Sequence, residues 1–222
     1  MKNNSPSKFR AAFSLVELLV VITIIGIIAG FAVPAVTGVI RGSALTQASQ
    51  MITEQFSLAR QLALSKNRAM EVRLYQFADP EVPDEVIATP ATWQYRGFQV
   101  FEIVESGAAT PLDKPQRFPD SVVMSARDTF STLISGSGRT AQTPGNKDPD
   151  LPRGVGKNYR YVSFRFLQDG STNLPATGTT GWFVTLHTVR DRPSGTVPPA
   201  NFFTLQLDPV SGSSKAFRPT AG

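Results

Sequence analysis

The sequence predicts an α+β fold, one long N-terminal helix laid against an antiparallel β-sheet, and three patterns in its 222 residues carry that prediction. Residues 18–40 contain no charged side chain. Leu45, Ala48, Ile52, Phe56, Ala59 and Ala63 then recur at spacings of three and four, the repeat of one helix face. From Ala69 onward apolar residues fall at alternate positions, the repeat of a strand. A single helix followed only by strands buries its apolar stripe on a sheet.

The apolar run comes first. About 20 helical residues at ~1.5 Å each cross a bilayer core of ~30 Å, so the run predicts a membrane helix. Lys2, Lys8 and Arg10 precede it, a bias that keeps Met1 on the cytoplasmic side. Two other readings compete. One is a helix buried in a protein core. The other is a secretory signal cut at the small residues of Val33-Pro34-Ala35, although such signals carry only ~7–15 apolar residues and have no use for an acid like Glu17. An acid inside a membrane helix costs roughly 3 kcal/mol, which demands a partner or a task.

Residues 11–35, AAFSLVELLVVITIIGIIAGFAVPA, resemble the type IV prepilin signature: a short basic leader, a cut before Phe, and Glu as the fifth mature residue. The resemblance implies a leader of residues 1–12 and cleavage between Ala12 and Phe13 by a prepilin peptidase. Phe13 would then be N-methylated and the helix retained. The family has Gly before the cut where this chain has Ala12. Cleavage creates an α-amine of pKa ~8, cationic at neutral pH, which Glu17 of a neighbouring subunit neutralises. Pro34 falls where pilins have a kinking proline, and proline removes one helical hydrogen bond. The expected organisation is 1–12 leader, 13–40 transmembrane and assembly helix, 41–67 amphipathic helix, and 68–222 a β-rich globular domain.

In the amphipathic half, Gln47, Gln50, Glu54 and Arg60 fall off the apolar stripe, which is read as core. In the first strand Met70, Val72 and Leu74 alternate with Glu71, Arg73 and Tyr75. Further strands are expected at 94–104, 159–167, 182–189 and 202–207, and Gly/Pro/Asp-rich loops at 79–90, 136–156 and 191–199. LARQLALSKNRAMEVRLY, SFRFLQDGST and ANFFTLQLDPVSG resemble segments of GspH/FimT-type pseudopilins. With FEIVESG and LPRGVGKNY between them, their spacing is similar to the Verru_Chthon cassette protein D family. Asp169-Gly170 marks a tight turn in this reading.

Composition excludes several chemistries. There is no cysteine and one histidine, His187, so neither a thiol nucleophile nor a cysteine zinc site is available, and His187 is read as structural. Asp148 and Asp150 fall short of the six to eight oxygens calcium takes. The glycines of ISGSGRT lack the Lys-Ser/Thr of a phosphate loop and read as a turn. The net charge of +5 owes three units to Lys2, Lys8 and Arg10; without them 19 basic residues face 17 acidic ones. Nucleic acid is therefore not an expected partner, with Lys215 and Arg218 as the only hint of a DNA-binding minor pilin. Phe202 and Phe203 are adjacent and point to opposite faces, one into the core and the other toward a neighbour or a loop. The expected protein is a structural subunit without cofactor or metal, anchored in the inner membrane. Its expected partners are the prepilin peptidase and other pilin or pseudopilin subunits.

Overall fold

The computed structural model describes residues 14–86, 89–176, 181–191 and 193–219, without the side chains of 30–41 and 91. The chain divides into two units, Met1–Ile40 and Arg41–Gly222. Helix α1, Leu15–Lys66, contributes to both. Within the second unit, all six residues of the expected stripe are buried to 1% exposure or less. The off-stripe Gln47, Gln50 and Glu54 are exposed.

The helix stops at Asn67, whose φ of 52° breaks the helical path, and the chain reverses into β1, Met70–Phe77. Next comes β2, Gln94–Ile103, after a short helix α2, Pro83–Val86. The short strands β3 (Ala109–Pro111), β4 (Gln116–Arg117) and β5 (Val122–Met124) follow, then helix α3, Thr132–Ser135. The last four strands are β6 (Arg160–Phe166), β7 (Trp182–Thr188), β8 (Phe202–Leu207) and β9 (Ser214–Phe217). The sheet runs β6-β1-β2-β5-β7-β8-β9 and every pairing is antiparallel. The α+β architecture, a helix ahead of one antiparallel sheet, is as expected.

Three short strands share one edge of β2: β3 pairs with residues 101–103, β4 with 97–98, and β5 with Tyr95. Gly97 permits the middle contact, because a Cβ there would stand 2.5 Å from the Gln116 carbonyl oxygen. Where β5 ends beside β7, hydroxyl groups replace a strand. The Phe183 N–H donates to Thr132 Oγ1 and the Thr185 N–H to Ser131 Oγ, at 2.9 and 3.1 Å.

The core lies between the stripe and the inner sheet face. Phe56 meets Phe164 edge-on at a centroid distance of 5.2 Å, in one buried cluster with Met70, Val72, Leu74, Phe98 and Leu205. Arg60 fixes the helix laterally: its Nε donates to the carbonyl oxygens of Ser211 (2.9 Å) and Gly170 (3.3 Å). These belong to the β8–β9 turn and the expected Asp169-Gly170 turn. Gly170 has φ +81° there, and a Cβ on Gly212, φ +65°, would collide with the Gly170 carbonyl oxygen.

Candidate functional site: the start of the helix

Ser14 is the residue at which α1 begins. Its carbonyl accepts the Leu18 N–H at 3.2 Å and its hydroxyl oxygen accepts the Glu17 N–H, also at 3.2 Å. Both bonds are those of an N-cap, the hydroxyl satisfying one of the four amides a helix start leaves unpaired. Ser14-Leu15-Val16-Glu17 is a capping-box pattern, a signal of the helix start that the sequence itself carries. Glu17 sits in the first turn, where the helix dipole favours an acid.

Beyond it, Leu15, Val16, Leu18, Leu19, Ile22, Ile25 and Ile28 are each more than half exposed, Leu15 at 81%. Burying such a side chain is worth roughly 1.5–3 kcal/mol, so this surface calls for lipid or another helix. Thr23 does not interrupt it, since its hydroxyl donates to the Leu19 carbonyl at 2.8 Å and stays within the helix. Among the described residues no helix is long and apolar enough to cross a membrane. The apolar portion with described side chains ends at Ala29, 15 residues from Leu15. At ~1.5 Å each that is about 22 Å, less than a bilayer core. The expected span runs on to Ile40. Pro34 lies within α1 with its side chain outside the described residues, as are Ala12, Phe13 and the basic residues before them.

The remaining candidates lie apart from one another. His187 is buried on β7 between Val123 and Phe202 of the adjoining strands, its Nδ1 2.8 Å from the Thr188 carbonyl oxygen. Phe203 is core and Phe202 half-buried. The ISGSGRT segment starts with the last two residues of α3, Ile134 and Ser135, and its glycines form the turn that follows, with Gly138 at φ +77°. Lys215 is exposed, while Arg218 Nη1 donates to Thr46 Oγ1 at 2.8 Å. Among the described residues no group of three or more His, Asp or Glu is placed to hold a metal ion.

Asp148 has a different occupation. Its Oδ1 accepts Arg73 Nη1 at 2.5 Å and its Oδ2 accepts the Gly145 N–H at 2.6 Å. Arg73 also donates from Nε to Glu71 at 2.7 Å, and Glu71 accepts Arg165 at 2.8 Å. The Arg73 guanidinium carbon stands 4.1 Å from the Phe101 ring centroid and 4.5 Å from that of Tyr161. Burial alone pulls the Arg73 pKa down, but the bonds to Asp148 and Glu71 outweigh it and hold it above the ordinary value. Burial also pushes Asp148 up, and Arg73 with the Gly145 N–H reverses that, leaving the carboxyl below the usual range. The 136–156 loop thereby covers the outer sheet face, adding Leu151 and Val155 to Tyr75, Phe101, Tyr159 and Tyr161. Burial drives the Tyr75 and Tyr159 phenols upward.

Beside this cluster opens a cleft of about 550 Å³, lined by Tyr75, Phe77, Phe118 and Leu151 with Arg117 and Arg153. Arg117 is paired with Asp79 and Asp120 at 2.6 and 3.0 Å, and Tyr75 donates to Gln99.

A model of the prokaryotic N-terminal methylation motif matches residues 7–33. No curated protein matches the chain. Among solved structures, the minor pseudopilin EpsH from the type 2 secretion system of Vibrio cholerae aligns at 7% identity with a TM-score of 0.42, over 80% of this chain and 98% of that one. The chain thus carries a prokaryotic N-terminal methylation motif across the start of its long helix.

Proposed function

We propose that the protein is a pilin-like structural subunit, a pseudopilin or minor pilin, stored in the inner membrane and assembled into a type II secretion or type IV pilus-like filament. The observation that carries the reading is an apolar helix surface left uncovered from Leu15 to Ile28, opened by the single acid Glu17 and lying inside the matched motif. The GspH/FimT type, and within it the Verru_Chthon cassette protein D family, is the finer assignment that the segment resemblances favour.

In this reading the prepilin peptidase removes residues 1–12 between Ala12 and Phe13, and Phe13 is N-methylated. The residues of 13–40 stay in the membrane with their basic flank cytoplasmic, while the globular unit lies on the far side. Residues 41–67 tie the anchor to the sheet. Glu17 neutralises the Phe13 ammonium of the adjacent subunit, so that neither charge stands alone among apolar side chains. Pro34 bends the helix within its apolar length.

Mass spectrometry of the native protein tests the processing. The expected first residue is Phe13 carrying one added methyl group; a chain that begins at Met1, or beyond Pro34, defeats the proposal. Glu17→Val tests the pairing: the variant should enter the membrane at wild-type levels and be missing from filaments. Normal filament incorporation would remove Glu17 from assembly.

A further inference from the structure

We infer that Arg139 and Arg160 form a binding site for a tetrahedral oxyanion of the phosphate or sulfate kind, free or at the end of a monoester. The site belongs to the globular unit and does not depend on the processing or assembly proposed above. Arg160 opens β6, and the register carries it across Gln76 of β1 to Tyr95 of β2, three side chains in a row on one sheet face. Its Nη2 donates to the Ala141 carbonyl at 3.4 Å, a long bond. Arg139 stands on the same stretch of chain as Ala141, and its Nε donates to the Leu133 carbonyl at 3.0 Å. The Arg139 Nη2 is buried and meets no acceptor.

These two arginines differ from their neighbours in charge balance. Six other arginines of the globular unit, Arg73 and Arg96 among them, pair with an Asp or Glu. All 17 acidic residues lie among the described ones, and none pairs with Arg139 or Arg160. Burial pulls the Arg139 pKa below its ordinary value, whereas Asp148 and Glu71 hold that of Arg73 above it. Tyr95 supplies no charge. Burial pushes its phenol upward, and Arg160 and Arg139 only partly draw it back, so it is un-ionised at neutral pH. A buried guanidinium is costly without a counter-charge that also accepts its hydrogen bonds. That counter-charge comes from outside the chain. Two guanidiniums call for two negative charges, and forks approaching from a loop and a strand need acceptor oxygens in more than one plane. A carboxylate offers one charge in one plane; phosphate and sulfate meet both demands. Arg160 is half-buried and leaves one side of the pair open to solvent.

The test is thermal unfolding of the full chain in detergent at about pH 8, where a phosphate group carries two charges. Inorganic phosphate, sulfate, glycerol phosphate or acetate replaces chloride at constant ionic strength. Phosphate and sulfate should raise the midpoint saturably, and acetate should act as chloride does. Glycerol phosphate that matches inorganic phosphate identifies a monoester as the form bound; glycerol phosphate that fails to match identifies the free ion. Arg139→Met and Arg160→Met should each weaken phosphate binding at least about tenfold, read by isothermal titration calorimetry on the folded protein. In chloride alone neither variant should lower the midpoint, since each removes a charge that the chain leaves unbalanced. An equal rise with acetate, no saturable response to phosphate or sulfate, or a response that survives both substitutions overturns the inference. So does a midpoint that falls in chloride for both variants, which would mean that the two guanidiniums are already balanced within the fold.

Discussion

The two parts of helix α1 share a backbone pattern and differ in what surrounds their side chains. In the globular unit the stripe from Leu45 to Ala63 is sealed against the sheet, and the opposite face is Gln47, Gln50 and Glu54. In the first unit Leu15, Leu18, Ile22 and Ile25 are exposed, and among the described residues no polar face balances them. The first pattern is a helix completed by its own chain, since a stripe at 3.6-residue spacing fits one sheet face. The second is apolar all round, so no single face can satisfy it and only a surrounding medium or bundle can. One segment therefore sets the stability of the fold, and the other, in the function proposed above, serves assembly.

Phe56→Ala tests the sealed part with the largest expected effect. Phe56 is 1% exposed and packs on Phe164 and Phe166. Its loss should cost about 4 kcal/mol, the usual result of a cavity left by an aromatic ring. Denaturant unfolding followed by tryptophan fluorescence measures it, since Trp93 and Trp182 both lie in the globular unit. A change under about 1 kcal/mol would mean that the helix is not the lid of this core.

The outer sheet face should respond somewhat less. Arg73→Met strands Asp148 and deprives Glu71 of one partner, a loss of about 3 kcal/mol for breaking a buried ion pair. Arg165→Met, whose side chain is 43% exposed, should cost under about 1 kcal/mol. The pH dependence has a definite sign. A carboxyl held low in the fold stabilises fully above its unfolded value of ~3.9, and that contribution disappears as pH falls through the lowered folded value. Wild-type stability should thus decline below about pH 4, and Arg73→Met should flatten the decline. Parallel acid profiles for the two proteins would show that Asp148 is not held by Arg73.

Local pattern made most of the fold legible. The stripe of α1, the five longer strands to within a residue or so at their ends, and the Asp169-Gly170 turn all follow from spacing and turn chemistry. Strands β3, β4, β5 and β9 have two to four residues, too few for alternation to register. Alternating apolar and polar residues ordinarily leave one face of a strand in water, yet all eight residues of β1 are buried. The reason is long-range: the charge on Arg73 is met by Asp148, 75 positions away in a loop that reads only as polar and flexible. The same contact explains why Asp148 is committed to a guanidinium. At the helix start the reverse holds, for Ser14-x-x-Glu17 is a local capping-box spacing that involves no distant partner.

The smallest effect on stability belongs to the exposed part, and it sharpens the contrast most. Ile25 is 59% exposed, so Ile25→Ala removes apolar surface with no cavity to leave behind. Unfolding of the globular unit should change by less than about 0.5 kcal/mol, as for surface substitutions elsewhere. Retention in detergent or lipid should weaken by about 2 kcal/mol, three carbons at about 0.8 kcal/mol each. Sedimentation of membranes after alkaline carbonate extraction reads the second quantity and tryptophan fluorescence the first. If Ile25→Ala lowered the denaturation midpoint as Phe56→Ala does, residues 15–29 would be packing on the globular unit, and the division of labour between the two parts of α1 would fail. A midpoint shared with the wild type, together with a smaller membrane-bound fraction, places the function of this segment outside its own fold.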